Sequence, residues 1–202
     1  MMTVKVQNKV YLVAGNANGT VRFYDDQFKA EAWFEDQNLS KIKSISFSRR
    51  EAKGATHLEK EQGHSTFRCP DFIVADENAM VVQLEAKIFE AIDKNDKKGT
   101  TLMLGIQSSI IALAVHPKKD IVAIAGDKGW IMLWDYVRKD AFPGQSYENY
   151  SKENRDNKGK EKGKKDVSYT CMEFTPDGEQ LLVATTEGRI RIFDPDTAKE
   201  ID

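Results

Sequence analysis

Gly129-Trp130-Ile131-Met132-Leu133-Trp134-Asp135 is the stretch whose reading decides the fold. The same heptapeptide returns as Gly19-Thr-Val-Arg-Phe-Tyr-Asp25 and as Gly188-Arg-Ile-Arg-Ile-Phe-Asp194: a turn glycine, four strand residues, an aromatic, an aspartate. Self-similarity at intervals of tens of residues marks a repeat architecture, in which no single unit buries its own apolar surface. Within the stretch, residues 130, 132 and 134 point one way and 131 and 133 the other. Both sets are apolar, so both faces of this strand are expected to be covered.

The flanking segments fall into the same register. Apolar runs precede each heptapeptide: Val10-Tyr-Leu-Val-Ala-Gly15, Ile121-Val-Ala-Ile-Ala-Gly126 and Leu181-Leu-Val-Ala-Thr185. Run and heptapeptide meet at Asn18-Gly19, Lys128-Gly129 and Glu187-Gly188, where glycine supplies the positive φ a tight hairpin needs. Further upstream lies another strand with fixed spacing, seen as Ile42-x-x-Ile45-x-Phe47, Ile110-x-x-Leu113-x-Val115 and Tyr169-x-x-Met172-x-Phe174. Turn chemistry follows it in His116-Pro117-Lys-Lys-Asp120 and Thr175-Pro176-Asp177-Gly178. A degenerate fourth copy pairs Phe72-Ile-Val-Ala75 with Met80-Val-Val-Gln-Leu-Glu85, with Ala79 replacing the glycine and Glu85 the aspartate. Helix is nearly absent, and Leu84–Ile92 is read as strand. Acidic positions 25, 85, 135 and 194 are spaced more widely than the ~40–45 residues of a four-stranded repeat, so the excess lies in insertions.

These residues resemble the WD-repeat family of β-propellers. Trp134-Asp135 is the literal dipeptide, and Tyr24-Asp25 and Phe193-Asp194 are aromatic variants. The resemblance implies an all-β WD-repeat propeller of about four blades, over residues 1–36, 41–105, 109–142 and 167–202, with insertions at 49–70 and 143–166. Propellers typically close with about four to eight blades. The preferred expectation is therefore a segment of a larger propeller; a closed four-bladed ring and a half completed by another chain stay open. The family often carries Gly-His before the first strand and an aspartate before the turn glycine. Here Asn18, Lys128 and Glu187 hold the turn position and no histidine precedes a first strand, so apolar packing and ladder hydrogen bonds are expected to dominate.

A narrower resemblance is to ciliary WD-repeat proteins. It rests on Val21-Arg-Phe-Tyr-Asp25, Glu31-Ala-Trp-Phe-Glu-Asp36, Ile45-Ser-Phe-Ser48 and Cys69-Pro-Asp-Phe72. It implies a scaffold of the ciliary or flagellar axoneme, in a calmodulin- and radial-spoke-associated complex that relays calcium and mechanical signals to dynein. The partners implied are other axonemal proteins, including subunits of that complex, and the microtubule surface. A general cytosolic adaptor, such as a ubiquitin-ligase substrate receptor or signalling scaffold, is the alternative.

Composition narrows the chemistry. Net charge is -2, so no global basic field argues for nucleic acid or anionic lipid. Cys69 and Cys171 are far apart, which fits reduced thiols better than a disulfide framework. No apolar run approaches the roughly 20 residues of a membrane span, and the first residues lack a signal-peptide core; an intracellular soluble chain is expected. No enzyme and no cofactor are expected. A nucleophilic site needs a base, yet only His57, His64 and His116 exist, and His116 is explained by its turn. His57 and His64 near Cys69 are too loosely spaced for zinc. Asp93-Lys-Asn95-Asp96-Lys97-Lys98-Gly99 begins like a calcium loop, but Lys97, Lys98 and Leu104 occupy positions that need a ligand, a glycine and a glutamate. No GxxxxGK[ST] or GxGxxG occurs.

Two features remain as candidate partner-binding sites. One is the lysine-rich insertion with Lys158, Lys160, Lys162, Lys164 and Lys165. Its composition predicts a mobile solvated loop, with electrostatic contact to acidic surfaces such as tubulin tails as the functional alternative. The other is Trp33 and Phe34 on the outer strand of the first blade, which mark an interface if exposed and core if packed on the neighbouring blade.

Overall fold

A computed structural model describes residues 1–6, 9–35, 37–47, 67, 69–84, 99–103, 109–127, 129–141, 168–197 and 199–201. The chain divides into two compact units, Met1–Leu104 and Gly105–Asp202. In the first unit, β1 (Met2–Val6), β2 (Lys9–Gly15), β3 (Val21–Tyr24) and β4 (Ala30–Phe34) form one four-stranded sheet. β5 (Ile42–Phe47), β6 (Phe72–Asp76), β7 (Val81–Leu84) and β8 (Thr100–Met103) form another. In the second unit, one sheet holds β9 (Ile110–Val115), β10 (Ile121–Gly126), β11 (Ile131–Asp135) and β12 (Asp140–Ala141). The other holds β13 (Tyr169–Phe174), β14 (Leu181–Thr185), β15 (Ile190–Phe193) and β16 (Glu200–Ile201). Every sheet is an antiparallel meander in chain order, and its third strand carries the heptapeptide. Of the strand expected through Leu84–Ile92, Leu84 lies in β7, and residues 85–92 lie outside the described residues.

Period-two alternation decides which side chains meet. In the first unit Val13, Val21, Phe23, Ala32 and Phe34 of one sheet share a core with Phe72, Val74, Val82 and Leu84 of the other. Phe23 meets Phe47 and Phe72 edge-on, with centroids 6.0 and 5.8 Å away. Edge-to-face pairs of this kind add about 0.5–1.5 kcal/mol beyond their area burial. In the second unit the facing surfaces differ in size. Ala112, Ala114, Ala123 and Ala125 leave room for Tyr169, Met172, Phe174 and Phe193 from the opposite sheet. Large against small is how close packing is reached without voids.

β6 and β10 are buried at every position. Along β11, Ile131 and Leu133 are buried while Met132 and Trp134 are half-buried, so neither face of the deciding stretch lies open.

One hairpin geometry joins the second and third strands throughout. Asn16 N donates to Thr20 O at 2.9 Å and Gly19 N to Asn16 O at 3.2 Å. Equivalent pairs of bonds join Asp76, Ala79 and Met80, then Gly126, Gly129 and Trp130, then Thr185, Gly188 and Arg189. The fourth residue of each turn is left-handed: Gly19 (φ 79°), Gly129 (φ 73°), Gly188 (φ 76°), and in the degenerate copy Ala79 (φ 59°). Ala79 therefore keeps the conformation that its neighbours assign to glycine, at a cost of about 1–2 kcal/mol for an L-residue.

The same glycine differs in what surrounds it. A Cβ on Gly19 would lie 1.9 Å from the Leu39 carbonyl oxygen, whereas a Cβ on Gly188 would meet nothing within 4 Å. Gly188→Ala is thus expected to lose only the left-handed penalty, about 1–2 kcal/mol, and Gly19→Ala clearly more, because backbone must move. Urea denaturation midpoints of the two variants check the order; equal losses would contradict the contact at Leu39.

Candidate functional site

The described side chains converge on no pocket with reacting groups; what they present is surface. The third-strand aspartates illustrate how that surface is held. Asp25 Oδ1 accepts from Gln27 N (3.0 Å) and Lys29 N (2.8 Å), and Asp135 Oδ1 from Val137 N (2.9 Å) and Arg138 N (2.8 Å). Asp194 Oδ1 accepts from Asp196 N at 2.8 Å, a bond that leads in lowering its pKa below the usual carboxylate value. These are Asx turns that shape the connection to the fourth strand. The heptapeptide's terminal aspartate is therefore a turn-former. An aspartate at a strand end before a polar turn is the signal that could have shown this.

Trp33 and Phe34 part company. Successive strand residues point to opposite faces, and β4 buries Ala32 and Phe34 while exposing Glu31 and Trp33. Phe34 is 4% exposed and lies 5.0 Å, ring to ring, from Phe72. As a partner-binding residue Phe34 is corrected to core: its ring is occupied by the neighbouring sheet. Trp33 is 54% exposed, opposite Arg22 in the ladder, on the outward face that also carries Leu12 and Tyr24. Lys158, Lys160, Lys162, Lys164 and Lys165 lie outside the described residues, as do His57 and His64.

Cys69 is buried in the first unit's core, and burial, aided by the Asp71 carboxylate, pushes its thiol up to about 12. Such a thiol stays protonated and inert. Among the described residues no three potential metal ligands come together.

Two polar ties went unread in the sequence and add to the apolar packing expected there. Asp76, buried at the end of β6, accepts through Oδ2 from Ser40 N and Ser40 Oγ, both at 2.9 Å. Through Oδ1 it accepts from Asn78 N and Met80 N, also at 2.9 Å. One carboxylate thus anchors its own hairpin and the segment between β4 and β5. The second tie is His116, 2% exposed, in the turn between β9 and β10. Its Nδ1 accepts from Lys118 N (3.0 Å) and Lys119 N (2.9 Å), so the proton sits on Nε2, which donates to Gly178 O at 3.0 Å. The ring packs on Phe174 with centroids 4.9 Å apart. Gly178 must be glycine here, since a Cβ would lie 2.4 Å from the imidazole Cε1. The neutral imidazole clasps the turns of two consecutive sheets. The long-range half of each tie has no local sequence signal, because Ser40 and Gly178 lie far along the chain from Asp76 and His116.

Four-stranded meanders with this turn chemistry have counterparts among known proteins. The family described as Anaphase-promoting complex subunit 4 WD40 domain matches residues 113–202. WD40 character is thus shown for residues 113–202. The chain is 36% identical over 201 residues to cilia- and flagella-associated protein 251 of Tetrahymena thermophila, covering 95% of this chain and 19% of that protein. It is 25% identical over 191 residues to the protein of the same name from Chlamydomonas reinhardtii, covering 95% and 21%. For the Mus musculus protein of that name the identity is 23% over 193 residues, covering 96% and 13%. The chain thus spans about a fifth or less of the length of the curated relatives it matches.

Burial lowers the pKa of His116 below its ordinary 6.5, with Lys119 and Lys118 acting in the same direction and the Gly178 bond and Asp196 against it. The fold favours the neutral ring. The stability it contributes is complete above pH 6.5 and is withdrawn as pH falls from there through the folded value. His116→Asn keeps an acceptor for the two amides and removes the titration. Thermal melts of the parent are expected to decline below pH 6.5 where the variant's stay flat; parallel curves would refute the clasp.

Proposed function

We propose that the chain is a non-catalytic scaffold segment of the ciliary or flagellar axoneme, within a calmodulin- and radial-spoke-associated complex that supports dynein-driven motility. The observation that carries this reading is similarity along 95% of the chain, at 36% identity, to a protein named for cilia and flagella, with the same name recurring in Chlamydomonas and mouse relatives. The four sheets are read as successive blades of one propeller, with residues 49–70 and 143–166 as insertions. Rigid blades hold turns and outer strands at fixed places, so that several partners dock at once; the fold itself hosts many tasks and adds nothing to the choice of partner. Trp33 and the lysines at 158, 160, 162, 164 and 165 are the contact residues in this reading, with axonemal proteins and the microtubule surface as partners.

The second reading, a general cytosolic adaptor, has in its favour the match of residues 113–202 to a family named for a subunit of another multiprotein complex. Detergent extraction of flagellated cells that express the tagged full-length polypeptide separates the two. Retention in the axonemal pellet is expected; complete release with the cytosol would defeat the axonemal reading.

Deleting residues 151–165 tests the lysines. In microtubule pelleting assays the parent is expected to bind less as salt rises, because exposed charges are screened over about 8–10 Å at moderate ionic strength. The deletion is expected to weaken binding at low salt and flatten that dependence. Binding that is identical across the salt series removes the lysine contact.

A further inference from the structure

The fourth strand ends each sheet on one side, and the four end strands are not alike. β12 and β16 are two residues long, and β8 is four. β4 runs over five, Ala30-Glu-Ala-Trp-Phe34, and holds neither proline nor lysine. Shortness, proline and lysine are common devices that blunt a sheet edge against pairing with another chain. β4 has none of them; its one irregularity, a bulge where Ala30 meets Tyr24, lies at its start. Hydrogen-bond parity shows which backbone groups face out. Asn16 N donates to Thr20 O and Asp25 N to Lys29 O, so along β3 Arg22 turns its polar groups to β2 while Val21 and Phe23 turn theirs to β4. Their partners there are Phe34 and Ala32. Trp33 lies between these two, and its N–H and C=O therefore face the open side.

The side chains along this edge carry a second signal. Phe28 and Trp33, 74% and 54% open to solvent, are the exposed aromatic rings among the described residues, and they stand just before this strand and within it. Phe28 also holds φ at 61°, a left-handed conformation that bulky residues rarely adopt. The Asp25 turn fixes its backbone and leaves the ring in water. Asp26, Glu31 and Glu35 are exposed around the two rings, and Lys29 is the one cation from Asp26 to Glu35. Arg22 stands one strand in, across the ladder from Trp33.

We propose that β4 is the docking edge for an extended basic segment of a partner protein, which joins the sheet as an added strand. Its main chain pairs with the open groups of Trp33. Its lysines or arginines lie across the new ladder against Glu31, Glu35 and the indole face. Charge selects this occupant over a second copy of the chain, whose own β4 would set glutamate against glutamate. The inference rests on the reading of Trp33 as a contact residue and gives the chemistry of its partner; it does not rest on the axonemal location.

The probe is a short fluorescent peptide of alternating lysine and valine, titrated by anisotropy against the full-length polypeptide. Saturable binding is expected. Trp33→Ala, at an exposed position outside the core, is expected to weaken it at least about tenfold, the scale of a hot-spot loss. Two further peptides separate main chain from charge. One is methylated on its backbone nitrogens, which keeps the lysines and removes the donors; the other carries glutamate for lysine. Both are expected to bind at least about tenfold more weakly than the parent peptide. Phe28→Gly relieves the left-handed conformation, so its melting temperature is expected to hold or rise while its affinity for the peptide falls. Equal affinity of the parent polypeptide and Trp33→Ala overturns the proposal, and so does undiminished binding of the methylated peptide. Self-association of the parent that Trp33→Ala abolishes overturns it too, by assigning the edge to a second copy. A polypeptide that binds the peptide yet washes out of axonemes keeps this edge and loses the location; retention in axonemes without peptide binding does the reverse.

Discussion

Phe23 sits where four other rings converge: Phe34, Phe47, Phe67 and Phe72 all lie within 6.0 Å of it, centroid to centroid. That cluster exists because a strand puts every second residue on one side, and because the third strand of a repeat is sandwiched by its own ladder partners. Shift β3 by one residue and Phe23 turns to solvent while Arg22 enters the core. Register and packing therefore specify each other. The second unit uses the same constraint with other side chains, alanines on one sheet and rings on the next. Everything that the surface displays is positioned by this alternation.

The polar groups act within that frame. Aspartates at the ends of β3, β11 and β15 shape the turns to the fourth strands, while Asp76 and His116 bind segments that the ladders leave unconnected. Buried polar groups are costly unless fully partnered, and both of these are satisfied at every atom that the geometry engages. The Lys119–Asp196 ion pair spans the same two sheets as His116 does, but it is exposed, and such pairs contribute little. Buried hydrogen bonds, more than surface charge, hold the turns together.

How much of this could be read from the residues depends on range. The heptapeptides, the apolar runs before them and the left-handed turn position are local patterns, and the strands and hairpins follow from them. Ala79 was legible as the degenerate copy because the repeat frame predicted a glycine there, even though alanine alone argues against a positive φ. Trp33 and Phe34 stand as a pair in the sequence, yet one peptide bond places them on opposite faces; only knowledge of which face is inward separates them. Asp76 with Ser40 and His116 with Gly178 were illegible, since hydrogen bonds between residues far apart in sequence leave no mark on spacing. Which surface meets which partner is likewise a property of the partner as much as of this chain.

The ladder between β5 and β6 pairs Phe47 directly with Phe72, although residues 48–71 stand between them. In a meander the ends of any hairpin are already adjacent, so lengthening the connection raises only the entropy of closing it, about 0.6 kcal/mol for each doubling. The architecture thus accepts new sequence at its hairpin tips, and here the end of the connection adds Phe67 and Cys69 to the core around Phe23. Lineages can append recognition material there while the stacked sheets stay as they are.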